Sequence, residues 1–316
     1  MKLSLVIPCF NEEENIREIY RSVADCFQSR LFSYECVFVD DGSTDGTFRE
    51  LKKLVEEKSG HIQVVSFSRN FGKEAAIYAG LRHAKGERVC IIDADLQQPP
   101  ETVLQMMEIL DAQPEVDCVA AYQKNRKESK LLSGIKSCFY KLINKLSDVE
   151  FVNKASDFRM MRRKMVDAVL SMTEYHRFSK GILSWVGFET RFIPYEVRRR
   201  KHGKSKWSNW GLTKYAMEGI ISFSTAPLKI ATVTGFLSAI AAVLYSVSVL
   251  MEKLIFGIAV PGYATIVILL LLLGGLILFS LGIIGEYLAR MYIQMKNRPI
   301  YIEKTYLESG RKEENL

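Results

Sequence analysis

The 316-residue sequence contains only four histidines, His61, His83, His176 and His202, and no two are neighbours. A zinc site built on imidazole ligands is therefore not expected. The six cysteines all fall between Cys9 and Cys138, and none is spaced as C-x-x-C. Four of them sit in apolar, strand-like stretches, which predicts buried thiols in a reducing compartment and no disulfide framework. Internal repeats and low-complexity segments are also missing. The opening residues, Met1-Lys-Leu-Ser-Leu-Val-Ile-Pro8, are too short an apolar stretch for a signal peptide and hold no cleavage site. The first part of the chain is thus expected to remain where it is made.

Charge is scarce in two long runs. From Leu228 to Met251 the only charged residue is Lys229, and from Leu254 to Gly285 there is none. Each run exceeds the roughly 20 residues needed to cross the hydrocarbon layer. Two transmembrane helices are expected, over about 230–250 and 263–284, the second containing Ile268-Leu-Leu-Leu-Leu-Leu273. Lys204, Lys206, Lys214 and Lys229 precede the first, and Arg290, Lys296 and Arg298 follow the second. The connection between them carries only Glu252 and Lys253. The positive-inside rule then predicts a multi-pass protein of the plasma (inner) membrane with both termini in the cytoplasm.

The net charge of +7 is unevenly distributed. Residues 1–120 carry 13 Lys and Arg against 21 Asp and Glu, whereas residues 121–316 carry 30 against 15. A basic second part leading into membrane spans points to an anionic lipid surface or a phosphorylated lipid. Nucleic acid, the other customary partner of such charge, is not expected beside two spans.

The first 120 residues alternate strand and helix patterns. Apolar runs Leu3–Pro8, Cys36–Val39, Ile62–Phe67, Arg88–Ile92 and Val116–Ala121 read as strands. Between them, Ile16, Ile19, Tyr20, Val23 and Phe27 recur at helical spacing, as do Phe48, Leu51, Leu54 and Val55, and Gly72–Ala84 reads as a helix. Such alternation with short loops predicts a parallel sheet covered on both faces. Beyond residue 122, Ile135, Phe139, Leu142, Ile143 and Leu146 form an apolar stripe flanked by Lys136, Lys141 and Lys145, the pattern of a helix lying in the membrane interface. Tyr215–Phe223 is a second juxtamembrane candidate, and Phe188–Val197 alternates like a strand. The tail Glu303–Leu316 is charged and is expected to be disordered at its end.

Three polar clusters fall at the ends of expected strands: Pro8-Cys-Phe-Asn-Glu-Glu13, Asp40-Asp41-Gly42-Ser43 and Asp93-Ala94-Asp95. In a parallel sheet those ends share one edge, where ligands of open α/β folds bind.

With these motifs in order, the chain resembles the family 2 glycosyltransferases of GT-A fold, and among them the polyprenyl-phosphate glycosyltransferases. The resemblance rests on Ile7–Glu13, Val39–Thr47, Arg69-Asn70-Phe71-Gly72-Lys73, Asp93–Pro100, Ser156-Asp157-Phe158-Arg159 and Gly203-Lys204-Ser205-Lys206. It implies a Rossmann-like, mostly parallel α/β catalytic domain over 1–226, with interfacial helices near 131–148 and 211–226. Two transmembrane helices within 227–289 and a cytoplasmic tail over 290–316 would follow.

The resemblance also implies roles. Pro8, Phe10, Glu12, Asp40, Lys73 and Asp93 would face the nucleotide of a UDP-sugar. Asp95, helped by Gln97, would bind Mg²⁺ or Mn²⁺, hard cations that prefer oxygen ligands. Arg198, Lys204, Ser205 and Lys206 belong to a basic loop that would close over the diphosphate. Asp157 resembles the family's catalytic base, although an ionised lipid phosphate needs orientation more than proton removal, so positioning Arg159 or the acceptor is an equal reading. Arg126, Lys127 and Lys130 are candidates for the lipid phosphate, Arg126 first because a guanidinium grips phosphate with two bonds. The implied reaction is inverting transfer of one sugar, from UDP-glucose or a related hexose donor, to undecaprenyl phosphate or a similar lipid. Its product would serve glycan modification of the cell envelope. Relatives suggest a homotetramer. A processive polysaccharide synthase is the rival enzyme, but no Q-x-x-R-W motif is present. An inactive lipid-binding scaffold of the same fold is the rival from another class.

Overall fold

The computed structural model describes residues 1–28, 32–57, 61–124, 155–198, 221, 224–256 and 262–310. The N-terminal half alternates as expected: β1 (Leu3–Cys9), α1 (Ile16–Phe27), β2 (Tyr34–Asp40), α2 (Thr47–Glu57), β3 (Ile62–Phe67), α3 (Lys73–His83), β4 (Arg88–Ile91), α4 (Pro100–Ala112) and β5 (Cys118–Gln123). Then come β6 (Ala155–Arg162), α5 (Arg163–Leu170), α6 (Ser179–Trp185) and β7 (Thr190–Tyr195). Two long helices, α7 (Ala226–Phe256) and α8 (Tyr263–Met295), precede a last strand, β8 (Glu303–Glu308).

The strands form one eight-stranded sheet in the order β7-β5-β6-β4-β1-β2-β3-β8. Successive residues of a strand face opposite sides, and the core divides accordingly. Leu5, Ile7, Phe38, Phe158 and Met160 pack with Ile16, Ile19, Leu51, Leu54, Val103 and Met106 of α1, α2 and α4. On the other face Val6, Val89 and Met161 pack with Ile77, Leu81, Met165, Val166 and Ile182 of α3, α5 and α6. α1 shows why a helix forms there, because Ile16, Ile19, Val23 and Phe27 repeat on one buried stripe while its charges face water.

Two features differ from the parallel sheet that the alternation predicts. β6 runs antiparallel to both neighbours, β4 and β5, and β8 runs antiparallel to β3. β6 and β8 are each separated from the preceding strand of the sheet by a long stretch of chain, 124–154 and 196–302, so the short alternating crossovers that keep β1 to β5 in order do not dictate their direction. The end of the charged tail, 311–316, lies outside the described residues, but its beginning is a strand. Its residues 303–308 pair with Gln63–Phe67 and cover the β3 edge of the sheet.

α7 and α8 hold the two apolar stretches, Ala226–Ile255 and Ile268–Met295, that are long and apolar enough to cross a membrane. Their side chains are exposed in the isolated chain, for example Leu244 at 66% and Leu271 at 73%. At 33 residues, α8 is about 50 Å long, well beyond the ~30 Å hydrocarbon layer. Its final turns carry Glu286 and Arg290, paired at 3.4 Å, and are suited to water. The interfacial helix expected near 131–148, and nearly all of the one expected near 211–226, lie outside the described residues.

α3 lies close against the sheet, and Gly80 permits this. A Cβ at Gly80 would stand 2.2 Å from Cγ1 of the stiff Val6 side chain in β1. Gly80→Ala is expected to destabilise the fold by about 1–3 kcal/mol through overpacking. The measurement is the unfolding midpoint in detergent. The same change in a Val6→Ala background should lose less, and equal losses in both backgrounds would refute this packing account.

Candidate active site

Strand register brings the candidate residues together. Val6 of β1 pairs with Ile91 of β4, and Ile91 pairs with Arg159 of the antiparallel β6. Two residues farther toward the carboxyl edge, Pro8, Asp93 and Asp157 therefore stand level with one another. On the other side of β1, Cys9 is level with Asp40 of β2. Sequence-distant groups thus meet on one edge, and the antiparallel direction of β6 is what turns Asp157 toward it.

The two loops after β1 and β2 interlock. The Asn11 backbone N–H donates to Ser43 Oγ at 3.0 Å, and its Oδ1 accepts the Thr44 N–H at 2.8 Å. The Glu12 N–H donates to Thr47 Oγ1 at 2.8 Å, and Glu13 Oε2 accepts the Gly46 N–H at 2.9 Å. The Glu12 side chain accepts a hydrogen bond from Asn15 at 2.7 Å. Asp40 is buried, and its two oxygens accept from the Ser43 N–H at 3.1 Å and Ser66 Oγ at 2.8 Å. Asp41 accepts the backbone N–H groups of Phe71 at 2.6 Å and Gly72 at 3.0 Å, which anchors the loop leading to Lys73. Burial raises the Asp41 carboxyl to about 6 despite those donors. Gly42 completes the join, because its φ of 63° and a virtual Cβ only 2.3 Å from the Arg69 carbonyl carbon exclude any side chain.

At the centre, Lys73 Nζ lies 2.7 Å from Asp93 Oδ1 and 3.0 Å from Asp157 Oδ2. Burial alone would lower the Lys73 pKa, but the two carboxylates more than reverse this and raise it. Burial would push Asp157 up, yet the positive fields of Lys73, Lys180 and Arg159 and the hydrogen bond from Lys73 hold it well below the carboxylate range. Asp93 stays raised, since burial and the nearby Asp157 and Asp95 outweigh Lys73. The other oxygen of Asp157, Oδ1, is buried without a hydrogen-bond partner among the described residues.

Asp93 is clamped from its other side as well. Gln98, only 4% exposed, accepts the Asp93 N–H through Oε1 and donates through Nε2 to Asp93 Oδ2, both at 2.8 Å. With Lys73 and Gln98 on its two oxygens, Asp93 is a fixed element of the site. In the same loop, Asp95 Oδ1 accepts the Gln97 N–H at 3.1 Å, and Asp95 is the carboxylate here that could hold a cation. No group of three or more His, Cys, Asp or Glu side chains that could hold a metal ion occurs among the described residues. A single carboxylate such as Asp95 could still serve Mg²⁺ or Mn²⁺, which can keep waters and take further oxygens from a diphosphate.

Arg198 borders the same loop: its N–H donates to Gln97 O at 3.0 Å and its guanidinium meets Glu101 at 2.9 Å. Lys204, Ser205 and Lys206 lie outside the described residues, as do Arg126, Lys127 and Lys130.

A model of glycosyl transferase family 2 matches residues 4–170, and a model of the GtrB C-terminal hairpin matches residues 226–291. The chain belongs to glycosyl transferase family 2. It is a glycosyltransferase with a GT-A catalytic fold. It is 41% identical over 302 residues to CsbB of Bacillus subtilis (strain 168), named as a glycosyltransferase, covering 96% of this chain and 91% of that one. The SfII prophage-derived bactoprenol glucosyl transferase of Shigella flexneri is 41% identical over 305 residues, covering 96% and 98%. The prophage bactoprenol glucosyl transferase homolog of Escherichia coli (strain K12) is 40% identical over 305 residues, covering 96% and 99%. Among solved structures, glucosyl-3-phosphoglycerate synthase of Mycobacterium tuberculosis with Mn²⁺, UDP-glucose and glycerol 3-phosphate matches 70% of this chain and 78% of its own. The TM-score is 0.46 and the identity 18%.

For this glycosyltransferase, sequence reasoning missed two contributors, Gln98 and Glu74. Gln98 stands inside the quoted Asp93–Pro100 motif, but nothing local reveals that its partner is Asp93. Glu74, next to Lys73, accepts hydrogen bonds from the Ser179 N–H at 3.0 Å and from the Ser179 hydroxyl, which fastens α6 to the first turn of α3. That contact brings Lys180 toward Asp157. Arg159 is buried and donates to Ser156 O at 3.0 Å.

Removing the central cation should be severe. Lys73→Met would leave Asp93 and Asp157 facing each other without a counter-ion, and transfer should fall by about a hundredfold or more, as for loss of a preorganised electrostatic group. Lys73→Arg should keep part of the rate. Steady-state turnover of both variants checks this, and a Met variant with near-normal turnover would remove Lys73 from the machinery.

Proposed function

We propose that this glycosyltransferase moves one sugar from a UDP-sugar, UDP-glucose or a related hexose donor, to a polyprenyl phosphate such as undecaprenyl phosphate. The observation that carries the reading is the level set Pro8, Asp93 and Asp157 beside Asp40 at one sheet edge, in a chain that also carries two membrane-length helices. Relatives named for bactoprenol support a lipid acceptor. Excess Lys and Arg around the spans supports a cytoplasmic site on the inner membrane, where the product would serve modification of the cell envelope.

In this reading Pro8, Phe10, Glu12 and Asp40 receive the nucleotide. A buried, doubly bonded Asp40 offers a rigid wall to it. Asp95, with Gln97 beside it, would hold Mg²⁺ or Mn²⁺; a bound ion of this kind offsets the charge that grows on a departing diphosphate. Arg198, Lys204, Ser205 and Lys206 form the cover over the diphosphate, and Arg126 and Lys130 meet the lipid phosphate. An acceptor phosphate oxygen bonds to the anomeric carbon while that carbon's bond to the UDP oxygen breaks, and the electron pair leaves with UDP. Attack opposite the leaving group inverts the configuration.

No proton needs to leave the nucleophile, because a phosphate monoester has a second pKa of about 6. Asp157, held as a carboxylate by Lys73 and well below its ordinary pKa, is a weak proton acceptor. Its part is to fix Lys73 and to shape the field around the acceptor. A homo-oligomer packed through the apolar helices is consistent with their exposed faces.

Purified protein in Mg²⁺ should convert undecaprenyl phosphate to a glycolipid, seen by mass spectrometry across a panel of nucleotide-sugars. Asp95→Ala should abolish the product; a variant that remained active would exclude the metal role of Asp95. The pH profile separates the roles of Asp157. Turnover should fall below about pH 6 as the acceptor takes up its second proton, and the same inflection should persist in Asp157→Asn. An inflection that vanishes with Asp157 would make it the base.

A further inference from the structure

The segment after α8 returns to the catalytic sheet and ends up directly behind the Lys73 loop. In the last turn of α8, Gln294 Oε1 accepts the Tyr175 N–H at 2.8 Å and its Nε2 donates to Thr173 O at 3.2 Å. The chain then turns at Asn297, whose φ is 47°. Tyr301 is buried at 7% exposure. Its ring stacks on Phe67 with centroids 4.8 Å apart and meets Tyr78 of α3 edge-on at 6.3 Å. Phe67 in turn meets Phe71 at 5.8 Å and 90°, and Lys73 lies two residues farther on.

The strand that follows is held at several points. The Ser68 N–H donates to Ile302 O at 3.0 Å, and β8 pairs with Gln63–Phe67. Glu303 meets His83 at 2.9 Å and Glu308 meets Lys85 at 2.6 Å, which fixes the strand to the far end of α3. Both ends of α3, including the one that presents Lys73, are therefore braced by a segment whose other end is the second apolar helix.

We propose that residues 296–308 form a tether that sets the active-site edge at a fixed position relative to the end of α8. In it, Tyr301 is the positioning residue for the Arg69–Lys73 loop. Simple cover of an exposed sheet edge would need only the β8 ladder. It would not need a buried aromatic wedge behind the loop or a short link of seven residues, 296–302, between helix and strand. What reaches Phe67 and Tyr78 is the Tyr301 ring, so its contribution to the loop is the ring. The consequence for turnover rests on the lipid-phosphate reading above; the positional claim does not.

Two variants test the tether in the full-length protein. The first inserts a flexible Gly-Ser hexapeptide between Asn297 and Arg298, which leaves Tyr301 and β8 seated but loosens the link. In nanodiscs, with the labelled protein diluted in excess unlabelled protein, spin labels introduced at Arg21 and Val243, both exposed in the isolated chain, should give one narrow distance in the parent and a broad distribution in the insertion variant. Thermal midpoints should be unchanged. Turnover of bilayer-embedded undecaprenyl phosphate should fall about tenfold, while a short-chain, water-soluble prenyl phosphate is used within about twofold of the parent rate. An unchanged distance distribution, or equal losses on both acceptors together with a lowered midpoint, would overturn the tether. A parent protein that used neither acceptor would defeat the lipid-phosphate reading, and the distance measurement would still decide the tether. The second variant tests Tyr301. Tyr301→Phe should preserve turnover. Tyr301→Ala should lower kcat about tenfold on both acceptors with the KM for the nucleotide-sugar nearly constant. Equal behaviour of Phe and Ala would remove its positioning role.

Discussion

A single ammonium between two carboxylates is the constraint on which the site depends. Lys73, Asp93 and Asp157 come from three separate elements, the first residue of α3, the loop after β4 and the antiparallel β6. Two carboxylates this close repel unless a cation stands between them. Lys73 supplies it at 2.7 and 3.0 Å. The arrangement needs α3 to start at a defined point, which explains why so much of the surrounding structure fixes that start. Asp41 holds the Phe71 and Gly72 N–H groups, Glu74 holds Ser179, and Gly80 lets α3 sit down on β1.

The same economy governs the loops at the sheet edge. Asn11, Glu13, Ser43, Asp45 and Thr47 satisfy one another's backbone and side-chain polar groups between two loops that are otherwise unconnected. Several bonds spread over both loops hold them to one another as a unit. A rigid edge gives preorganised donors and charges to an incoming nucleotide, and preorganisation is the main source of electrostatic catalysis.

Much of this was legible in the residues alone. The strand and helix periodicities placed β1 to β5 and α1 to α3 near their observed limits, because a half that alternates by short crossovers has few possible topologies, whereas α4 was not read from its residues. The two apolar runs marked α7 and α8 for the equally local reason that about 20 uncharged residues leave few alternatives. What stayed hidden was every relation between segments far apart in the chain. β6 gives no strong alternation around Asp157, and its place between β4 and β5 depends on pairing with both. Gln98 looks like one more polar residue before Pro99, since its role exists only across the turn from Asp93. Nothing local announced that the charged stretch 303–308 pairs with β3, where Thr305 and Leu307 find partners in Ser66 and Val64.

The residues by themselves determined an α/β catalytic half with acidic strand ends, two membrane-length helices, and the order of the motifs. Those properties follow from local periodicity and from the length of apolar runs. Only the tertiary structure decided that Asp157 stands level with Asp93, that Lys73 joins them, and that the last strand closes the sheet behind the Lys73 loop. Strand direction and register are set by which distant segment best satisfies an edge's backbone groups and buries its apolar face, and no window of neighbouring residues contains that information.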